Sequence, residues 1–443
     1  MKHSSVYDVI GIGLGPFNLG MAALLDPVED VSALFFEKEE EFNWHPNMLI
    51  EGTTLQVPFF ADLVSMADVR SEYSFLHYLQ EHQRLYHFYF LEKFHIPRKE
   101  YNAYCRWVSG RLSSCRFGRT VTRVEVVEKD AGSVYEVGVL RGSSGVEEVY
   151  YAENVVLGIG TQPYIPPAFQ EALGDTVFHT SEYLKKNLHP DQSIAVLGSG
   201  QSSAEVFLDL ARSQQETGGR LQWFTRSNGF FPMEYSKLGL EYFSPDYIDF
   251  FYELPQEKKD ALLKDQGLLY KGISAETIAD IYDHLYERTI EGASPDIHLQ
   301  AMTELTSIQW ENGRWALNGV HRVKEDKVSA EADVVILGTG YQPAVPLFLQ
   351  PLTDKILWDD QGRFQVEKTY ELKTNLNTRG DLFVQNGELH SHGVGAPDLG
   401  LGAHRNAVII NRLAGREVYL VQAENVFQTF GASRQPEHSI IKK

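Results

Sequence analysis

Two glycine-rich segments hold the residue types and spacings most able to do chemistry in this chain. The first is Gly11-Ile12-Gly13-Leu14-Gly15-Pro16-Phe17-Asn18 and the second is Gly198-Ser199-Gly200-Gln201-Ser202-Ser203-Ala204. A diphosphate must approach the backbone closely, which glycine permits, and the free N–H groups at the start of a helix stabilise it. In the first segment Gly11, Gly13 and Pro16 take the three places of a G-x-G-x-x-G pattern; proline suits a helix start, where its missing N–H has no partner. Glu37, at the end of the following strand, is placed to bind ribose hydroxyls. In the second segment Ser203 takes the third place, where a small residue packs helix on strand. The strand after it ends in Thr225-Arg226-Ser227, with no acid. An acid would repel a 2′-phosphate, whereas Arg226 can pair with one, which favours NADPH over NADH. Two such segments call for two nucleotides. The pair that fits is a tightly held flavin, FAD, and NADPH to reduce it.

Each segment has to sit between a strand and a helix. Val6–Ile10 reads as a buried strand, Phe17–Leu25 as a helix and Val31–Phe36 as a second strand. The same order returns at Ser193–Leu197, Ser203–Arg212 and Leu221–Thr225. A further strand, Asp333–Leu337, leads into Gly338-Thr339-Gly340-Tyr341; this and Gly158-Ile159-Gly160-Thr161 fit the crossovers between two domains. The expected fold is α/β, with two Rossmann-like dinucleotide-binding domains and a small helical substrate insert. Residues 1–165 and 333–443 form a discontinuous FAD domain. Residues 166–332 form the NADPH domain, with the insert at about 235–295. The aromatic run from Tyr86 to Phe94 reads as core.

Composition narrows the class. At 443 residues the chain is too long for one core. Its 60 acidic and 40 basic residues give a net charge of −20, which argues against nucleic acid and anionic membranes and mildly attracts a cationic substrate. The two cysteines, Cys105 and Cys115, form no CxxC pair, so a reducing, cytoplasmic setting is expected. The apolar stretch Val6–Leu25 is broken by Gly11, Gly13, Gly15 and Pro16, unlike a signal or membrane helix. The 15 histidines include no HExxH, and no metal is expected; His390 and His392 read as a loop near the flavin or as surface.

Further motifs carry a family resemblance over almost the full length: Gly-Leu-Gly-Pro-Phe-Asn (13–18), Phe36-Glu37, Trp44-His45-Pro46, Leu55-Gln56, Phe75-Leu76-His77-Tyr78-Leu79, Tyr101-Asn102-Ala103-Tyr104, Gly-Ser-Gly-Gln-Ser-Ser-Ala-Glu (198–205) and Gly338-Thr339-Gly340-Tyr341. The chain resembles the flavin N-monooxygenases of hydroxamate siderophore biosynthesis, the lysine N6-, ornithine N5- and diamine N-hydroxylases. The resemblance implies that Gly11, Gly13, Gly15, Pro16, Phe17, Asn18, Glu37, Trp44, His45 and Gln56 serve FAD. It places Gly198, Ser199, Gly200, Gln201, Ser202, Ser203 and Arg226 at NADPH. It also implies oxygen transfer to an amine through a flavin C4a-hydroperoxide, and an oligomer, either tetramer or dimer. One departure bears on substrate. The amino-acid hydroxylases carry a substrate-holding lysine in a Phe-x-Lys-Asp-Leu pattern, and this chain reads Phe59-Phe60-Ala61-Asp62-Leu63. Leu240 and Gly272 stand where the ornithine enzymes have asparagine. An α-carboxylate buried without a cation costs several kcal/mol. The resemblance therefore points to the diamine branch, with putrescine or cadaverine as substrate; Ala61, Leu240, Glu241, Gly272 and Asp398 are its candidate contacts. Glu241, Glu234 and Asp398 are the candidate acceptors for the distal ammonium. The alternative is an L-lysine N6-monooxygenase, in which another cation such as Lys237 would serve the carboxylate.

Overall fold

The computed structural model describes residues 2–142, 145–189, 191–214 and 219–432. Residues 433–443, assigned above to the FAD domain, lie outside the described residues. Two parallel sheets organise the chain. The first runs in the order Cys115–Arg116, Ala33–Phe36, Lys2–Ile12, Val146–Leu157 and Leu382–Val384, every pair parallel. In the middle of the sheet, at 9–12, 33–36 and 155–157, its strands are apolar runs because both faces are covered there. One face carries the helices Pro16–Leu25, Arg98–Arg111 and Gly402–Ala414, packed around Leu19, Tyr104 and Ile409. On the edge it shares with Leu382–Val384, the early residues of Val146–Leu157 pair antiparallel with Gly132–Arg141, which in turn pairs with Arg119–Lys129.

The second parallel sheet has the order Ile297–Gln300, Leu221–Phe224, Ile194–Leu197, Val334–Leu337 and Val177–His179. Helix Gln201–Ser213 packs on it through Ala204, Phe207 and Leu208. An antiparallel sheet of Thr303–Glu311, Arg314–His321 and Lys327–Ala332 is appended. The chain passes between the two sheets twice, and the two passages, Gln162–Pro163 and Tyr341–Gln342, pair antiparallel. The α/β class with two Rossmann-type sheets is thus what the structure has.

Three expectations are corrected. The aromatic run is not core: helix Leu85–Leu91 buries none of its residues, and Tyr86, Tyr89 and Phe90 are each at least 70 % exposed. A seven-residue helix offers one inward face, and Phe88 takes it by packing edge-on against Phe59 and Phe75. His390 and His392 are neither loop nor surface; they are buried on the helical turn Leu389–His392, where His392 stacks on Tyr370. The insert is helical as expected, but it is not one unit. Its helices Pro245–Tyr252 and Gly267–Tyr270 pack on Val394 and Phe430, which follow the first sheet's strand Leu382–Val384. Its last helix, Ala275–Glu287, instead packs through Ile281 on the core under helix Gln201–Ser213.

Candidate active site

The two glycine segments are built alike, and their structure shifts the frame of the first by two residues. Gly13 has φ +85°, and a Cβ there would stand 2.6 Å from the Gly158 carbonyl oxygen. Gly198 has φ +139°, and a Cβ there would collide with the Gly338 carbonyl. Gly15 and Gly200 are the N-caps of their helices, and a Cβ on either would meet no atom within 4 Å. The third place is held by Asn18, packed on Gly158, and by Ser203, whose hydroxyl donates to the Gly338 carbonyl at 3.2 Å. The corresponding triplets are therefore 13, 15, 18 and 198, 200, 203. Gly11 instead lies flat under the Phe35 ring, and Pro16 is simply the first helical residue.

These roles sort the residues. Asn18 is fully buried; its amide donates to the Gly13 carbonyl at 2.8 Å and accepts from Gln385 Nε2 at 2.8 Å, so it holds the loop in shape rather than facing a ligand. Glu37 accepts from the Leu14 N–H at 2.8 Å and the Glu39 N–H at 3.1 Å, which fixes the carboxylate beside the open helix end. Phe17 lies under the Arg405 guanidinium, 4.8 Å from ring centre to Cζ. Arg405 and Glu388 form a completely buried ion pair at 2.9 Å behind this helix. Nothing in the sequence pairs two residues so far from the glycine loop, and no local pattern could have found them.

Between the sheets runs a cavity of about 1560 Å³, lined by residues of both halves, including Gln56, Ile159, Gly200, Ser202, Arg226 and Gln385. A single small ligand typically occupies about 300–1,000 Å³, so this space suits more than one. Gln56 Nε2, Thr180 Oγ1 and Gln385 Oε1 are buried in its wall without a hydrogen-bond partner. Gly200 lines this cavity and Gly15 does not: the unmet polar atoms and the open cap and helix N-terminus at Gly200 fit a dinucleotide in the cavity, and the open cap at Gly15 offers a second helix end outside its lining. Arg226 is largely exposed at the rim, 3.9 Å from Glu304; Arg322 stands at the same distance from that acid. Ser199 is tied to Ser227, 2.9 Å between hydroxyls. Gln201 is spent on the protein: its amide donates to Glu205 and Thr277 and accepts from the Ser274 N–H at 2.7 Å. Trp44 and His45 stand beside the cavity. The Trp44 N–H donates to Asn102 Oδ1 at 2.7 Å, and His45 reaches the ring of Tyr341, which lines the cavity.

The substrate candidates divide. Gly272 lines the cavity, backed against Met233. Ala61 is buried near the turn at Gly400. Leu240 is corrected: it is 42 % exposed on the short outward helix Lys237–Leu240. Glu241 is corrected as an ammonium acceptor, because its oxygens take the Phe427 and Gln428 N–H groups at 3.1 and 3.0 Å and the Gln428 side chain. Glu234 is exposed and accepts from the Ser236 N–H. Asp398 is half-buried, and burial pushes its carboxyl up to about 6, against the pull of the Gly400 N–H and Arg405.

Residues 5–343 match the model of the L-lysine 6-monooxygenase/L-ornithine 5-monooxygenase family. The chain belongs to that family. Among relatives of this N-monooxygenase, the putrescine N-hydroxylase of Shewanella oneidensis is 42 % identical over 98 % of the chain and 87 % of its own length. The FAD-bound cadaverine monooxygenase of the desferrioxamine pathway from Erwinia amylovora superposes with a TM-score of 0.93, covering 98 % of the chain and all of its own, at 39 % identity. The ornithine N-hydroxylase of Kutzneria sp. 744, with reduced FAD, NADP+ and L-ornithine, gives 0.86 over 93 % and 99 %, at 25 % identity. Among the described residues, no helix of the monooxygenase is long and apolar enough to cross a membrane.

Proposed function

We propose that this N-monooxygenase hydroxylates one primary amine of an aliphatic diamine, putrescine or cadaverine, using FAD, NADPH and O2, in the assembly of a hydroxamate siderophore. The observation that carries the choice of substrate is at position 61. The lysine that would hold an α-carboxylate is replaced by Ala61, buried near the Asp398–Gly400 turn. An uncompensated carboxylate there costs several kcal/mol, roughly a thousandfold in affinity. An alkyl ammonium carries no such group, and the acidic chain attracts it.

FAD is held by the first helix end at Gly15, with Glu37 at its ribose and Gln56 and Gln385 offering unmet polar atoms to the ring. NADPH is held at Gly200, with Arg226 at the 2′-phosphate. Bound together, these cofactors supply a reduced flavin that activates O2 for transfer to nitrogen. What the protein must add is a free amine. An alkylamine titrates near 10.4, so neutralising it at pH 7 costs about 4 kcal/mol, and desolvation against apolar residues such as Met233 and Leu268 offsets part of this. The flavin domain is assigned to 1–165 and 333–443 and the NADPH domain to 166–332. The enzyme is assigned to the cytoplasm as a homo-oligomer.

The test is a substrate panel scored by hydroxylamine product, because NADPH oxidation alone also reports uncoupled turnover. Putrescine and cadaverine should give product and L-lysine little. Product from lysine at equal kcat/KM would replace this reading with the lysine N6-monooxygenase one.

A further inference from the structure

We propose that the exposed aromatic helix Leu85–Leu91 is where a second copy of this chain docks, face to face about a two-fold axis. The inference deepens the homo-oligomer assignment above by naming the surface, and it is independent of the amine chemistry. Tyr86, Tyr89 and Phe90 stand 77, 70 and 72 % exposed on this helix. The patch extends past the helix to Phe60 and Phe94, 6.0 Å between ring centres. Phe59 joins the two groups: it packs at 5.1 Å on Phe88, the helix's inward residue, at 4.4 Å on Phe60 and at 5.4 Å on Phe94. The Phe59 N–H also donates to the Phe94 carbonyl at 2.9 Å. The rings are thus presented on a fixed base, which lowers the ordering cost of a contact.

Area points to a protein partner rather than an ordinary surface. With about 200 Å² for each aromatic side chain, the exposed fractions of these five rings leave roughly 600 Å² facing water. That is the upper end for the largest patch on a monomer, about 300–600 Å². Leu85 and Leu91, 40 and 43 % exposed, enlarge it toward the ~800 Å² per partner of a standard interface. Charge selects the second copy. The chain carries −20, so two copies repel unless they meet on a balanced face. From Gln83 to Phe94 the charged residues are Arg84, Glu92 and Lys93. Arg84 is taken by Glu100 of the same chain. Glu92 and Lys93 are exposed, and among the described residues neither side chain has an ion-pair partner. A two-fold axis close to them sets Glu92 of each copy against Lys93 of the partner subunit, and the pair occurs twice, beside the rings. A lipid surface would gain nothing from Glu92.

The test is the mass in solution, by light scattering over a dilution series, of flavin-loaded wild type, F90E, E92K, K93E and E92K/K93E. The bound-flavin spectrum and urea unfolding are the folding controls. Wild type should be an oligomer. F90E removes a ring from each side of the contact and sets like charges across it. It should weaken association about 1,000-fold, splitting a dimer to monomers or a tetramer to dimers. E92K and K93E should each weaken it about 10-fold, and the double variant should return to within about 3-fold of wild type, a recovery that a loss of folding would not give. The inference is overturned if F90E keeps the wild-type mass at every dilution, or if E92K/K93E associates no more tightly than the single variants. A monomeric wild type overturns it together with the homo-oligomer assignment; flotation of that monomer with phosphatidylcholine vesicles, lost in F90E, would give the face to lipid instead. Hydroxylamine product from a diamine is scored separately, so the substrate reading stands or falls by its own result.

Discussion

Replacing Gly200 by alanine separates the protein's needs from those of its ligand. In the folded chain nothing lies within 4 Å of where the new methyl would stand, and the backbone there, φ −96° and ψ 177°, is ordinary for alanine. Stability should change only by the exchange of glycine for a poorer N-cap, about 1 kcal/mol or less. The methyl would, however, project into the space in front of the free N–H groups of the 13-residue helix Gln201–Ser213. A diphosphate seated there must retreat by about 1 Å and lose two charged hydrogen bonds, about 3 kcal/mol together, or roughly 150-fold in affinity. Titration calorimetry of flavin-loaded G200A with NADP+ measures this, with urea unfolding as the control. G198A should do the reverse, because its φ of +139° and the Gly338 carbonyl leave an alanine no room; it should unfold. If G200A binds NADP+ within a factor of about 3 of wild type, where a 1.4 kcal/mol loss already means tenfold, the dinucleotide does not lie on this helix end.

Two further outcomes follow from buried charges. Arg98 is bidentate to Glu205 at 2.7 Å to each oxygen and ties helix Arg98–Arg111, packed on the first sheet, to helix Gln201–Ser213, with both side chains largely buried. R98A should lose about 3 kcal/mol or more by stranding that acid, and R98A/E205Q should recover part of it in urea unfolding; equal losses would refute the account. His392 is 1 % exposed, and burial lowers its titration to about 3, below the ordinary value of 6.5. The unfolded chain therefore takes up the proton first as pH falls, and stability present above pH 6.5 is lost below it. Between pH 7 and 5 this one group costs about 2 kcal/mol, and H392Q should flatten the difference in unfolding free energy by that amount.

Short β-branched runs bounded by glycine identify both parallel sheets from the sequence, because a strand buried on two faces has no polar alternation to disguise it. What sequence could not decide was the frame of the first loop. Gly11, Gly13 and Pro16 satisfy the spacing as well as Gly13, Gly15 and Asn18 do; the approach of Gly13 to the Gly158 carbonyl, the N-cap at Gly15 and the contact of Asn18 with Gly158 distinguish them. The aromatic run from Tyr86 misled for a related reason: ring content reports hydrophobicity but not direction, and Phe88 alone faces inward. Glu241 looked available because its partners, Phe427 and Gln428, arrive 186 and 187 residues later. The unmet atoms of Thr180 and Gln385 carry no local signature at all.

Gln201 shows why the split of the insert matters. It is the first residue of the helix that presents Gly200. Its amide reaches forward to Glu205, the acid gripped by Arg98 from the flavin half, and outward to Ser274 and Thr277, the start of the insert's last helix. The earlier insert helices are held by the flavin half instead, through Asp260 to Arg363 at 2.9 Å and Gln256 to the His390 carbonyl at 3.0 Å. The seam between these two attachments is Lys271–Gly272–Ile273. Lys271 and Gly272 line the cavity, and Ile273 exchanges backbone hydrogen bonds with Phe231 and Met233. The insert is therefore a bridge between the halves rather than a lid hinged on one.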